Sequence, residues 1–316
     1  MTQSTPESAR AERSAASLAL VVGVLLLLIK FGAYLLTGSA AIHSDALESI
    51  VNVLAGGFAL YAVILAHLPA DREHPYGHGK VEFLSAGFEG GMIILAAVMI
   101  VGGAIQTLVR GGGVQKIDSG LLLIALAMLI NGSVGFFLIR KGKSSGSITL
   151  EADGKHLLSD AVTSVVVLCA LGLVRLTGLQ WIDPLAAIVV ALYIGWMALG
   201  LLRRSAAGLM DEQDREDDAM IRHILDSHLA PSGKPPRICS YHKLRHRHSG
   251  RYHWVDFHIM IPAGMDVETG HKIASSIEYE IEQSIGEGNA TAHVEPCHAP
   301  QCAGCDTAPP AAASPS

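Results

Sequence analysis

Residues 43–68, HSDALESIVNVLAGGFALYAVILAHL, join a polar opening to a long apolar run. Crossing about 30 Å of hydrocarbon takes roughly 20 apolar residues in a helix, and this stretch is long enough. Its opening carries His43, Asp45, Glu48 and Asn52, and such side chains are costly to bury in lipid. The stretch therefore predicts a membrane helix whose polar end serves a function that outweighs this cost.

The composition places this helix in a large membrane domain. The chain has 316 residues, of which 50% are hydrophobic and 16% charged, whereas soluble proteins contain about 25% charged residues. Residues 15–204 are mostly apolar, and the remainder has the composition of a soluble protein. The first apolar run lacks a signal-peptide cleavage pattern and should stay in the membrane. We therefore expect a membrane domain followed by a small soluble domain.

Six segments reach the length of a membrane crossing. The predicted helices are residues 17–36, 42–67, 83–109, 119–139, 149–175 and 184–203. An even number of crossings places both termini on one side of the membrane. Nine Lys and Arg residues near the membrane fall on that side and three on the other, so we expect cytoplasmic termini.

The pattern after Arg204 predicts a small α+β domain. Amphipathic helices are predicted at residues 214–229 and 268–285. Strands are predicted at residues 237–247, 251–261 and 290–295. This αββαβ order is ferredoxin-like and predicts an antiparallel sheet. The expected domains are an N-terminal segment 1–16, a six-helix domain 17–204, a soluble domain 205–297 and a disordered tail 298–316.

Polar residues in two of the predicted membrane helices have the spacing of a shared site. His156 and Asp160 are four residues apart and lie on one helix face. Asp45, Glu48 and Asn52 also fall on one face. The alternative for all of these polar groups, and above all for Asp45, is helix capping or contact with lipid headgroups. Nitrogen and oxygen donors of this kind suit Zn²⁺ or a similar divalent metal.

The cysteines do not form the pattern of a disulfide framework. Three of the five, Cys297, Cys302 and Cys305, lie in the last 20 residues, beside His298. This spacing is closer to a thiolate metal site. A flexible tail without bound metal is the alternative.

Three motifs together resemble one known family. They are LLLLIKFGAYLLTGS at 25–39, PADREHPYGHGK at 69–80 and ADGKHLLSDAVTS at 152–164. With six helices and a soluble domain in the same order, residues 15 to about 297 resemble the cation diffusion facilitator family of metal/proton antiporters. The resemblance implies a homodimer, embedded in the lipid of the cell inner membrane, with divalent metal as substrate and regulatory ligand. Protons are the implied counter-ion, and no organic cofactor, nucleic acid or enzymatic activity is implied.

The resemblance also implies which residues hold the transported metal. Two residues each from the second and fifth helices form the family's transport site, and the fifth helix matches at His156 and Asp160. Counting back from the PADREHPYGHGK loop places the other pair at Glu48 and Asn52, where the family has other residue types. Asp45 is one turn earlier and offers a replacement carboxylate.

A second implied metal site lies in the loop after the second helix. Asp71, His74 and His78 match the positions that bind metal in related bacterial antiporters. A solvated polar loop is the alternative. Lys80 matches a lysine that pairs across the dimer with an acid after the sixth helix, and Asp211 is the expected partner.

The soluble domain carries a third implied set of ligands. Relatives place a two-metal site at the dimer interface of this domain, and the matching residues here are His242, His258, His271, His293 and Glu295. Glu295 stands where the family has an aspartate. Further histidines cluster at the strand turn and are expected to be solvated: His246, His248 and His253.

The sequence therefore predicts a transporter that exports a divalent transition metal from the cytoplasm, with Zn²⁺ preferred over Fe²⁺, Cd²⁺, Co²⁺, Ni²⁺ or Mn²⁺. An intramembrane metalloenzyme would need a motif such as H-E-x-x-H, which the sequence lacks. A membrane-anchored metal sensor that uses only the soluble domain is the other alternative.

Overall fold

The computed structural model describes residues 6–37, 40–110, 121–179 and 181–297. The chain divides into two compact units, with the boundary between Leu209 and Met210. Six long helices form the first unit and overlap the six predicted spans: α1 Pro6–Thr37, α2 Ala40–Ala66, α3 Val81–Arg110, α4 Leu121–Ser145, α5 Ile148–Thr177 and α6 Ile182–Leu209.

The first helix begins at Pro6, earlier than predicted. Residues 6–16 are rich in Ala, Glu and Arg, which are strong helix formers, so the helix continues beyond the apolar run. Ala15 and Ala16 are buried and pack in one cluster with Leu150. This packing makes the polar end of α1 part of the helical domain.

The surface of the helical unit is suited to lipid. Each helix exposes large apolar side chains, which a soluble protein would bury or cover. Examples are Leu28 at 64%, Leu54 at 67%, Met99 at 68%, Leu129 at 61%, Leu176 at 85% and Trp196 at 72% exposed. Four stretches of the described chain are long and apolar enough to cross a membrane: Ala9–Gly32, Val81–Gln106, Ala125–Ser145 and Pro184–Leu209. In α2, the stretch Asn52–Ala66 is apolar but shorter.

Two glycines bring α4 and α5 into close contact. A Cβ added at Gly154 of α5 would lie 2.7 Å from the Ile139 nitrogen and 2.8 Å from the Gly135 oxygen, both on α4. No real Cβ tolerates such distances, so the two backbones meet without intervening side chains. This contact holds α5 close to α4 two residues before His156.

The second unit is an α+β domain with the predicted αββαβ order. Its elements are α7 Arg215–Ser227, β1 Ser240–Ser249, β2 Tyr252–Pro262, α8 Val267–Ile285 and β3 Gly288–Cys297. The strand order is β1-β2-β3, in which β1 and β2 are antiparallel but β2 and β3 are parallel. The prediction of an antiparallel sheet was wrong for β3. Helix α8 carries the chain back to the end of the sheet at which β2 begins, so β3 runs in the same direction as β2.

Both helices of this unit contribute to a core on one face of the sheet. Alternate residues Val255, Phe257 and Ile259 of β2 are buried in one cluster with Ile221 of α7 and Ile277 of α8. Burying each such side chain stabilises the fold by about 1.5–3 kcal/mol. The residues between them on β2, including His258, point to the opposite face.

Candidate metal centre

Three polar side chains from α2 and α5 are joined by hydrogen bonds inside the helical domain. The Asn52 Nδ2 donates to Asp160 Oδ2 at 3.0 Å, and the His156 Nε2 lies 3.1 Å from Asn52 Oδ1. The His156 Nε2 is also 4.0 Å from Asp160 Oδ2. Asn52 therefore bridges the histidine and the carboxylate.

The position of this cluster follows from helix geometry. His156 and Asp160 are one turn apart on α5, and Asn52 approaches them from α2. Asp45 and Glu48 belong to the same helix as Asn52, but their side chains lie outside the described residues, as does that of His43. The described part of the cluster supplies one imidazole, one carboxylate and one amide oxygen.

Two further carboxylates adjoin His156, and the sequence analysis did not identify them. Glu89 of α3 is fully buried, and its Oε2 lies 3.8 Å from His156 Nδ1. Neither Glu89 oxygen has a hydrogen-bond partner among the described residues, and the same holds for Oδ2 of the buried Asp153. A lone glutamate in the apolar run of α3 was the available signal, because an intramembrane charge usually marks a functional site.

This arrangement suits a divalent cation. Imidazole nitrogen and carboxylate oxygen are the donors that Zn²⁺ and related metals take, and an amide oxygen is a neutral, weaker donor. Buried carboxylates without partners are costly, and a bound cation would offset that cost. Asp160, Asp153 and Glu89 together give the region around His156 a surplus of acidic groups.

The loop between α2 and α3 brings Asp71, His74 and His78 together. The His74 Nδ1 lies 3.2 Å from Asp71 Oδ1, and His78 Nε2 lies 3.4 Å from Asp71 Oδ2. The backbone N–H of His74 donates to Asp71, and this bond lowers the pKa of the carboxyl. The ligand atoms of the three residues all lie within 4.8 Å of one another. One ion could therefore contact all three residues.

The open face of the sheet carries a row of histidines. His242 pairs with His258, and His258 pairs with His293, so the three lie side by side across the strands. Glu295 is two residues beyond His293 on the same face. Its Oε1 lies 2.7 Å from His258 Nδ1, and its Oε2 lies 3.2 Å from His242 Nε2. The hydrogen bond from His258 lowers the pKa of Glu295.

His293 stands at the edge of this row, and the other predicted ligands lie apart from it. The Nε2 of His293 is 3.9 Å from Glu295 Oε1, at the edge of the cluster. His271 is an exposed residue of α8 and is not among the three residues whose ligand atoms converge. Cys297 ends β3, whereas His298, Cys302 and Cys305 lie outside the described residues. Asp211 contacts Arg247 of its own unit at 3.4 Å.

An irregularity in β1 sends the neighbouring histidines to the other face. The register of β1 on β2 shifts between His242 and Arg245, where β1 has one extra residue and Lys243 has a positive φ of 51°. Such a β-bulge reverses which face the following residues occupy. His246 therefore pairs with the core residue Val255 and is only 5% exposed. The expectation of solvation was wrong for His246, because the bulge could not be read from the alternation.

The comparisons with known proteins cover both units. The cation efflux transmembrane domain matches residues 16–210, and the cytoplasmic domain of cation efflux proteins matches residues 216–297. A solved structure of the transporter CzrB in its zinc form is 26% identical and covers 27% of this chain and 89% of that chain, with a TM-score of 0.24.

Three similar proteins span most of the chain. An uncharacterised transporter of Synechocystis sp. is 36% identical over 93% of each chain. The cation-efflux pump FieF of Shewanella oneidensis is 27% identical over 86% of this chain and 89% of its own. Metal tolerance protein 2 of Oryza sativa subsp. japonica is 29% identical over 84% of this chain and 74% of its own. The chain is thus a multi-pass membrane protein of the cation diffusion facilitator family, whose members are metal-efflux transporters.

Proposed function

We propose that this protein is a homodimeric Zn²⁺/H⁺ antiporter of the cell inner membrane that exports zinc from the cytoplasm. The observation that supports this most strongly is the hydrogen-bonded set Asn52, His156 and Asp160 inside the helical domain, with Glu89 buried beside it. A membrane domain with no transport task would have little reason to bury these groups.

In the proposed cycle, the metal replaces the internal hydrogen bonds of this cluster. His156 and Asp160 supply the strongest donors, and Asn52 supplies its amide oxygen. We assign the remaining donors to Glu48 and Asp45, because they precede Asn52 on α2 by about one and two turns. A site of two or three carboxylates and one imidazole favours Zn²⁺ and similar divalent transition metals over Ca²⁺ or Mg²⁺.

Proton coupling is assigned to His156 with the adjoining acids. Imidazole binds metal only when neutral, so a proton that arrives at His156 releases the ion, and metal binding displaces the proton. Glu89 is the nearest carboxylate on α3 and is placed to share that proton with His156, at 3.8 Å. Protons entering from the more acidic side would then drive export.

The cytoplasmic sites would report the metal level inside the cell. Lys and Arg are concentrated on the side of the termini, which favours a cytoplasmic location for the loop and the soluble domain. The loop site consists of Asp71, His74 and His78. In the proposed homodimer the sheet site consists of His242, His258, His271, His293 and Glu295. We also propose that Lys80 of one subunit pairs with Asp211 of the other. Cys297 is disulfide-bonded, so Cys297, Cys302 and Cys305 would offer an additional thiolate site only in the reduced protein.

A panel of metals in reconstituted liposomes tests this function. Zn²⁺, Cd²⁺, Fe²⁺, Co²⁺, Ni²⁺ and Mn²⁺ are offered separately, with and without an imposed pH gradient. We expect gradient-dependent flux to be largest for Zn²⁺. A larger flux of another metal would reassign the substrate. Flux of none of them would contradict transport and favour a membrane-anchored sensor.

A further inference from the structure

The α+β unit carries, besides the histidine row, another group of histidine and carboxylate side chains at the closed end of the β1–β2 hairpin, where α7 begins. We call it the hairpin-end cluster, and it consists of Asp217, His246, His248 and His253. His246 and His248 follow the bulge on β1, His253 pairs with His248 from β2, and Asp217 lies in the first turn of α7. All four side chains lie on the helix-covered side of the sheet, away from His258 and Glu295.

The ligand atoms of this cluster converge on one point. Those of Asp217, His246 and His248 all lie within 4.8 Å of one another. The Asp217 Oδ2 is 2.9 Å from His248 Nε2 and 3.6 Å from His253 Nδ1. The rings of His248 and His253 are 4.0 Å apart between centroids. Three nitrogens therefore surround one carboxylate.

The burial of His246 separates this cluster from a solvated group of histidines. His246 is only 5% exposed, and its Nε2 has no hydrogen-bond partner among the described residues. In a protein interior both ring nitrogens of an imidazole normally make hydrogen bonds, and leaving one nitrogen without a hydrogen bond costs about 1–3 kcal/mol. A ligand that accepts this nitrogen's lone pair would remove the cost.

The local charges favour a cation. Asp214, Asp217 and Asp218 lie at the start of α7 within electrostatic reach of His246. Oδ1 of Asp218 is buried and has no hydrogen-bond partner among the described residues, although Oδ2 accepts from Arg222. Acidic side chains thus surround the histidines and would balance the charge of a bound cation.

We propose that Asp217, His246 and His248 form a further binding site for a divalent transition metal, with His253 as the fourth donor. Three imidazoles and one carboxylate make a tetrahedral site of the kind that Zn²⁺ takes. Ligands about 2.0–2.1 Å from one Zn²⁺ stand roughly 3.3 Å apart, so small rotations of the side chains would close the site. The metal would fasten the hairpin to the start of α7. This proposal is independent of the transport site in the helical domain.

Counting bound metal in the full-length protein tests the proposal. The protein in detergent is stripped with chelator, dialysed against buffered free Zn²⁺, and its zinc content is measured by mass spectrometry. The test variants are Asp217→Asn, which keeps the shape of the side chain, and His248→Ala, which removes a less buried donor than His246. The matched control is His223→Ala, an exposed histidine of α7 outside the cluster.

We expect each test variant to bind about one Zn²⁺ fewer per chain than the wild type, while His223→Ala keeps the full content. Size-exclusion profiles identify any variant that fails to fold, and the isosteric Asp217→Asn then decides the result. An unchanged zinc content in a folded Asp217→Asn variant would overturn the proposal. An equal loss in His223→Ala would also overturn it, because the binding would then not be specific to this cluster.

Discussion

Asn52 lies between His156 and Asp160 in the cluster that we propose as the transport site. Its amide donates to Asp160 and accepts from His156, so a neutral side chain links the two strongest donors. In a metal-bound state only its oxygen can serve as a ligand, and an amide oxygen is a weaker donor than a carboxylate. Asn52 therefore holds His156 and Asp160 in position and would also contribute to the affinity for the metal.

Replacing Asn52 by Ala should weaken Zn²⁺ binding about tenfold, which equals about 1.4 kcal/mol. The variant loses one oxygen donor and both hydrogen bonds. Asn52→Asp is the matched comparison and should bind Zn²⁺ at least as tightly as the wild type, because it keeps the oxygen and adds a charge. Isothermal titration on the protein in detergent measures both affinities. Equal affinities for Asn52→Ala and the wild type would contradict a role for this residue in the site.

Single residues show which parts of the site the sequence could predict. The four-residue spacing of His156 and Asp160 is local information, and it correctly indicated that the two side chains share a face. Glu89 comes near His156 only because α3 packs against α5, and no spacing within α3 encodes that contact. The burial of Glu89 beside His156 could therefore be seen only in the folded structure. Its charge within an apolar run indicated a functional position, but not its neighbours.

At the scale of elements, the close contact of helices α4 and α5 depends on the absence of side chains at Gly135 and Gly154. A Cβ at Gly154 would lie 2.7 Å from a backbone nitrogen of α4, so Gly154→Ala must push the helices apart. We expect a loss of stability of about 1–3 kcal/mol, together with weaker Zn²⁺ binding, because His156 is two residues away. Thermal unfolding in detergent measures the first effect and titration the second.

Gly102→Ala provides the control for this substitution. Gly102 lies within α3, and an added Cβ there would meet no atom within 4 Å. Since Ala is about 1 kcal/mol better than Gly in a helix interior, this variant should match or exceed the wild-type stability. If both alanine variants behaved alike, the close contact of α4 and α5 would not matter for stability.

The start of α7 is stabilised by Asp214. Its side chain accepts hydrogen bonds from the backbone N–H groups of Glu216 and Asp217, and these bonds lower the pKa of Asp214 from its ordinary 3.8. Asp214→Ala should cost about 0.5–1 kcal/mol, whereas Asp214→Asn should cost only a few tenths because Asn also caps helices. Because the folded pKa is depressed, the carboxylate's contribution is complete above pH 4 and is lost as the pH falls further.

Tryptophan fluorescence measures this effect in the α+β unit. Trp254 lies in β2, and replacing Trp181 and Trp196 of the helical unit by Phe leaves it as the only tryptophan. The thermal midpoint of the Trp254 signal is then compared between the two Asp214 variants and their parent. A midpoint that falls equally in Asp214→Ala and Asp214→Asn would contradict the capping role.

Elements also show where sequence patterns stop being informative. Hydrophobic spacing identified all five elements of the α+β unit, because helices and strands have different periods. The direction of β3 depends on the crossover made by α8, which periodicity does not record. The face of His246 depends on a one-residue bulge at Lys243. Since an extra residue reverses the alternation, the histidines after it could not be placed correctly.

At the scale of the whole molecule, the two units differ in the side chains that they present. The helical unit presents apolar side chains outward and places Glu89 and Asp160 beside His156. The α+β unit carries histidines on both faces of its sheet. The composition of the chain predicted this division, because the apolar residues are concentrated before residue 205 and ten of the fifteen histidines follow it.

The most direct test of proton-coupled export measures Zn²⁺ flux into liposomes that contain the purified protein and an imposed pH gradient. We predict a flux that disappears when an ionophore collapses the gradient. Asp160→Asn and His156→Ala should each reduce the flux at least about a hundredfold, because each removes a metal donor. A hundredfold loss corresponds to roughly 2.7 kcal/mol of binding free energy for Zn²⁺. His223→Ala should transport as the wild type does. Zinc flux that persists in Asp160→Asn, or that is the same without the pH gradient, would contradict proton-coupled export through this site.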